Sequence, residues 1–149
     1  MRKAQIEQDL KAALLAGDKV KATTLRGLKS AILYAEVATG SRDQGLDDDA
    51  VVAVLAKEAK KRQESADMYR KGDDEARAQA ELAEKALIEA YLPKQLSDDE
   101  LRKLIDESVA ILGADSPQAM GKVIATVKER AGGKADGGRI AQMVKERLV

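Results

Sequence analysis

The sequence predicts an all-α protein: a four-helix N-terminal domain over residues 1–92, then a small three-helix C-terminal domain over residues 93–149. Three observations carry this. Apolar residues recur at helical spacing along almost the whole 149-residue chain. No segment alternates with period two, so no strand is expected. Helix stop and start residues punctuate the apolar runs, with Gly after several of them and Asp or Ser before the next.

The first helix carries Ile6, Leu10 and Leu14 on one face and stops at Gly17. Asp18 caps the second, whose stripe is Val20, Leu25, Leu28 and Ile32 and whose end falls near Gly40. The polar stretch Ser41 to Gly45 reads as a loop. Asp47 then caps a long third helix, with Asp48 and Asp49 in the first turn, where the helix dipole favours negative charge. Its apolar face runs Val51, Val54, Leu55, Ala59, Ala66 and Tyr69 before Gly72 ends it. A fourth helix, from Glu75 to Tyr91, presents Leu82, Ala83, Ala86, Leu87 and Tyr91.

Leu92-Pro93 marks the domain boundary, because proline pushes the residue before it out of helical conformation. A new start signal follows at once. Ser97 and Glu100 have the spacing of a capping box, and Leu96 and Leu101 that of a hydrophobic staple. Leu101, Leu104, Ile105, Val109 and Leu112 form the next stripe, closed by Gly113. Ser116-Pro117 reads as a cap with proline at the first helical position. Met120, Val123, Ile124 and Val127 then share a face up to Gly132-Gly133. Asp136 caps the last helix, whose inward residues are Ile140, Met143, Val144 and Leu148.

Composition narrows the chemistry. The chain has 26 Lys+Arg against 26 Asp+Glu, no His, no Cys, no Trp and no Phe. A disulfide framework, a thiolate metal site, a cysteine nucleophile and a Ser-His-Asp triad are all excluded. The commonest metal ligand and general base is missing as well. The longest apolar run, Ala50 to Ala56, is far shorter than a membrane span. Polar residues from Gln5 to Asp9 leave no signal-peptide core. A cytoplasmic protein without a membrane anchor is expected, with no metal, no cofactor and no catalytic residue.

Several clusters are candidates for binding. Gly121-Lys122 is followed by Val123, and the upstream glycine of a phosphate loop is absent, so that reading fails. The stretch GGKADGG, Gly132 to Gly138, allows either close approach of a phosphate to backbone N–H groups or a plain helix stop and restart capped by Asp136. Lys57, Lys60, Lys61 and Lys71 share a side of the third helix and read as a solvated face or a basic patch. Glu58 and Arg62, four apart on the apolar side, read as a register-fixing ion pair or a site carboxylate. From Pro117 onward seven Lys and Arg stand against three acids, a positive end suited to phosphates. With three Tyr as the only aromatics, base stacking is not expected to contribute.

Three stretches together resemble the YqeY-like family: DLKAALLAGDKVKATTLRGLKSAI (Asp9 to Ile32), YLPKQLSDDEL (Tyr91 to Leu101) and MGKVIATVKERAGGKADGG (Met120 to Gly138). The resemblance covers essentially the whole chain. It implies an all-helical fold and kinship with the C-terminal tail of the B subunit of the Glu-tRNA(Gln)/Asp-tRNA(Asn) amidotransferase, a module that contacts tRNA. Carried onto this sequence, it implies Lys122, Lys128, Arg130, Lys134 and Arg139 as phosphate partners. Gly133, Ala135, Asp136 and Gly137, with Lys134, fall in the family's (Arg/Lys)-Ala-Asp-Gly turn. Asp73 and Asp74 depart from the family, which more often has Arg there.

The expected function is therefore a non-catalytic tRNA-binding helper, acting with an aminoacyl-tRNA synthetase or the amidotransferase. The alternative is a protein-interaction module that docks on a synthetase or on itself. A family-wide label, carbon–nitrogen ligase with glutamine as amido donor, belongs to the full amidotransferase; the residues of this chain give it no support.

Overall fold

The computed structural model describes residues 1–113 and 116–149, and every regular element among them is helical. The chain divides into two compact units, Met1–Leu92 and Pro93–Val149. The first holds α1 (Arg2–Ala16), α2 (Lys19–Ala38), α3 (Asp48–Lys71) and α4 (Glu75–Glu89). The second holds α5 (Asp98–Leu112), α6 (Met120–Ala131) and α7 (Gly137–Leu148), with 3-10 turns at Pro117–Ala119 and Gly132–Lys134. Among the described residues no helix is long and apolar enough to cross a membrane.

Capping residues set the helix starts. Asp18 accepts from Lys21 N at 3.1 Å, Asp47 from Ala50 N at 2.8 Å, Asp74 from Arg77 N at 3.1 Å and Asp136 from Arg139 N at 3.2 Å. Each satisfies a backbone donor that the first helical turn leaves without a partner. Ser97 and Glu100 close a full capping box: the Ser97 N–H donates to Glu100 Oε2 at 2.8 Å, and the Glu100 N–H donates to Ser97 Oγ at 3.1 Å. Ser116 behaves otherwise. Its hydroxyl caps nothing, because the Ala119 N–H bonds to the Ser116 carbonyl instead, closing a 3-10 turn before α6 begins at Met120.

The first unit buries Ile6, Leu25, Leu28, Ile32, Leu55 and Ile88 at its centre. On α1 and α2, two expected core residues fall outside it. Leu14 is exposed, because Ala13 lies about 20° from Ile6 around the helix while Leu14 lies about 80° away. Val20 is exposed as well, about 80–140° from Leu25, Leu28 and Ile32.

On α4 the inward residues are Ala78 and Ile88, with Leu82 half-buried, and the expected Ala83 and Ala86 face solvent. Glu81 and Lys85 sit on that inward side and break the apolar pattern. They are held there by α3: Arg62 meets Glu81 and Glu84, each at 3.5 Å, and Lys85 donates to Gln63 at 2.8 Å. Glu58 also contacts Arg62, at 3.9 Å, so Glu58 and Arg62 belong to a network that joins α3 to α4.

Two polar contacts fix the ends of this unit. Buried Glu36 is neutralised by Lys3 at 2.6 Å. The Tyr91 hydroxyl donates to Asp9 at 2.5 Å, and Arg2 reaches both Asp48 and the Tyr91 carbonyl.

The second unit buries Leu101, Ile105, Val123, Val127, Ile140 and Val144, with Leu148 completing the core and Leu96 packed against it. Leu112 stays in phase with the α5 stripe but, as its last residue, is exposed. Gly113 follows in the left-handed conformation, φ 59°, and ends the helix.

Candidate nucleic-acid interface

The GGKADGG segment is first of all a joint. Gly132, at φ 58°, stops α6; the chain makes one 3-10 turn and extends at Ala135; Asp136 then restarts the helix. The segment that leads into α5 is fastened to this joint at three points. The Leu96 N–H donates to the Lys134 carbonyl at 2.8 Å, and Gln95 Nε2 donates to the Gly133 carbonyl at 3.0 Å. Arg139, in the first turn of α7, donates to the Leu96 carbonyl at 2.7 Å and to Asp98 at 2.5 Å. The guanidinium holds the Asp98 carboxyl below its ordinary range, and the capping bond from Ser97 does the same for Glu100. Of the two openings that the sequence left for this segment, the helix stop and restart is therefore present, with its carbonyls already engaged.

Arginines and lysines divide sharply in this unit. Each of the four arginines meets a carboxylate: Arg102 with Asp99, Arg130 with Glu107, Arg139 with Asp98 and Arg147 with Asp106. Arg130 also donates to the buried Ser108 hydroxyl at 3.2 Å. The six lysines, Lys94, Lys103, Lys122, Lys128, Lys134 and Lys145, are all exposed, and none forms an ion pair with a described carboxylate. Planar guanidinium forks suit fixed bidentate contacts, whereas an ammonium on a flexible stem serves as a mobile point charge.

The five residues implied by the family resemblance separate along this line. Arg130 and Arg139 fasten helices to each other. Lys134 belongs to the joint itself, and Lys128 reaches it from α6: a Cβ built on Gly137 would lie 3.1 Å from Lys128 Cε, so the Lys128 stem passes over the start of α7. Lys122 stands six residues earlier on α6, about 120° around the helix from Lys128. Sequence reasoning missed the arginine pairs with Glu107, Asp98 and Asp106. Their partners lie 23 and 41 residues away along the chain, beyond any local pattern.

In the first unit Lys57, Lys60, Lys61 and Lys71 are exposed on α3, and Lys61 pairs with Glu58 at 3.2 Å. Asp73 adopts a left-handed turn at φ 57°, and Asp74 caps α4. Both acids thus have a local structural use at this turn. Among the described residues no group of three acids is placed to hold a metal ion.

Comparison with known proteins bears on residues throughout the chain. The family described as Yqey-like protein matches residues 3–148. Curated relatives include the fungal proteins named Altered inheritance of mitochondria protein 41, mitochondrial. The one from Eremothecium gossypii is 39% identical over 89 residues, covering 60% of this chain and 48% of the relative. That from Kluyveromyces lactis is 35% identical over 88 residues, covering 59% of this chain and 46% of the relative. The matches span about half the length of these relatives.

Proposed function

The chain belongs to the Yqey-like protein family, and from that premise we propose that it is a non-catalytic, tRNA-binding accessory protein of the cytoplasm. In this reading its two units are separate domains, four helices and three, and the second is the tRNA-contacting tail. It assists a tRNA-acting enzyme, an aminoacyl-tRNA synthetase or the tRNA-dependent amidotransferase. The observation that carries the reading is the division of cations in Pro93–Val149: arginines engaged within the fold, lysines exposed without a partner among the described carboxylates. Phosphate contact then falls to Lys122, Lys128 and Lys134, while Arg130 and Arg139 keep the helices beneath them in place. Recognition rests on backbone charge and shape, because the chain has few aromatic rings to stack on bases.

The test is a salt series of fluorescence anisotropy with the purified chain, tRNA(Gln) and a size-matched RNA hairpin. Three phosphate contacts give a log–log salt slope of about −2 to −3. Replacing Lys128 and Lys134 by Ala should flatten that slope with no loss of helicity. A slope near zero, or equal affinity for the hairpin, would overturn the reading.

A further inference from the structure

Helix α2 carries a second stripe, opposite its buried one. Val20, Thr23, Gly27, Ser30, Tyr34 and Val37 are all exposed, and they follow one another at alternating spacings of three and four residues. That spacing keeps positions on one side of a helix over several turns, and it is the seam pattern by which helices pair. None of the six is charged. Val20, Tyr34 and Val37 expose 60%, 80% and 58% of their surface, and Leu33 extends the seam at its edge.

Lys19 and Arg26 line one edge of this seam and Lys29 stands beyond them on the same side, all exposed and none paired with a described carboxylate. The one acid of α2, Glu36, is buried against Lys3. The solvent side of α2 therefore presents apolar groups and cations and no anion, in a chain whose net charge is zero.

Gly27 adds an independent observation. It lies inside the helix, where Gly is a poor helix former, and nothing stands within 4 Å of the position a Cβ would take. Within this chain alanine would serve better. A glycine between Thr23 and Ser30 instead lowers the surface at mid-seam, where it lets a second helix axis approach closely.

We propose that this face of α2 seats an amphipathic helix of another protein, one whose apolar stripe is flanked by Asp and Glu. The cations along the edge select that charge, and the low centre selects a helix. A second copy pairing through this same face would bring the same cations and no anion to meet them. An anionic lipid surface would satisfy the charge but has no use for a glycine at mid-seam. The proposal is independent of the tRNA reading, which rests on the other unit.

The test places the photo-cross-linker benzoylphenylalanine at Leu33, on the edge of the seam, in the full chain in its own cells, with a control at Lys60 on the solvated side of α3. The cross-linked peptide is then sequenced by mass spectrometry and synthesised with a fluorescent label. The expected partner is a segment of another protein with apolar residues at three- and four-residue spacing and acidic flanks. The labelled peptide should bind the purified chain, at least tenfold more weakly after Lys19→Glu with Arg26→Glu, and not at all after Gly27→Leu. Because the Gly27 position is open, Gly27→Leu should keep or raise the melting temperature, so lost binding cannot be lost folding. Cross-links to nucleic acid, to lipid or to a second copy would overturn the proposal. So would a signal no stronger than at Lys60, or full peptide binding by the Gly27→Leu chain.

Discussion

Tyr91 shows how a single side chain closes the first unit. Its hydroxyl donates to Asp9 at 2.5 Å while its carbonyl accepts from Arg2, so the end of the unit is tied to α1 twice. The hydrogen bond from Tyr91 is the main reason the Asp9 carboxyl sits below its ordinary value of 3.8. Burial first, and the Asp9 contact second, push the Tyr91 phenol above its ordinary value of 10.0. The signs follow by linkage. A depressed carboxyl contributes stability above about pH 3.8 that is lost as pH falls through its folded value. A raised phenol contributes stability below about pH 10 that is lost as pH rises through its folded value. Tyr91→Phe should therefore cost about 1 kcal/mol at neutral pH, as expected for one partly solvated charge-assisted bond. In urea titrations the difference from the parent should shrink in strong acid and again in strong alkali. A pH-independent difference would mean that the ring, and not the hydroxyl, makes the contribution. This contact was not legible in the sequence, since Asp9 and Tyr91 stand 82 residues apart. The caps at Asp18, Asp47, Ser97 and Asp136 were legible, because a cap is decided within four residues.

At the scale of elements, the same locality separates what could be read from what could not. Helix positions and most boundaries follow from apolar period and capping residues. Inward faces were misread where a small residue fills the core or where a charge is neutralised by a distant partner. Ala13 takes the place expected for Leu14, and Glu81 on α4 is masked by its bond to Arg62 on α3. Val20 differs for another reason: it is out of phase with Leu25, Leu28 and Ile32 and belongs to the exposed uncharged stripe on the other side of α2.

The joint between α6 and α7 takes one of the two forms the sequence allows, the helix stop and restart. What it holds was not legible, because Leu96 and Arg139 are 43 residues apart. Arg139→Met tests that element. The apolar stem stays while the bond to the Leu96 carbonyl is lost, which should cost about 1 kcal/mol of stability. The exposed pair with Asp98 should add little to this. Amide exchange should quicken at Leu96, whose N–H bonds to the Lys134 carbonyl across the same joint. Unchanged exchange at Leu96 would show that the turn is fastened without the arginine.

At the scale of the molecule, each unit has a hydrophobic core of its own. One cluster draws only on residues from Ile6 to Leu92, and the other only on residues from Leu96 to Leu148. Each unit also has polar ties of its own: Tyr91 with Asp9 and Arg2 in the first, Arg139 with Leu96 and Asp98 in the second. Cooperativity in unfolding follows shared buried contacts, so cores of this kind are expected to melt as separate transitions. Two variants make the expectation testable. Asp136→Ala removes the α7 cap, at a cost of about 1 kcal/mol, from the second unit alone. Tyr91→Phe weakens the first unit alone. In a unit of about 60–100 residues, 1 kcal/mol moves the melting midpoint by about 4–8 °C. Calorimetry of the full chain should therefore resolve two transitions, with Asp136→Ala lowering one and Tyr91→Phe lowering the other. A single transition lowered by both variants would mean that the chain unfolds as one cooperative body, and the reading of two domains would fall. The same pair of variants also guards the binding experiments. Asp136→Ala should weaken tRNA binding only at temperatures where the second unit has begun to melt, whereas loss of Lys128 and Lys134 should weaken it at every temperature.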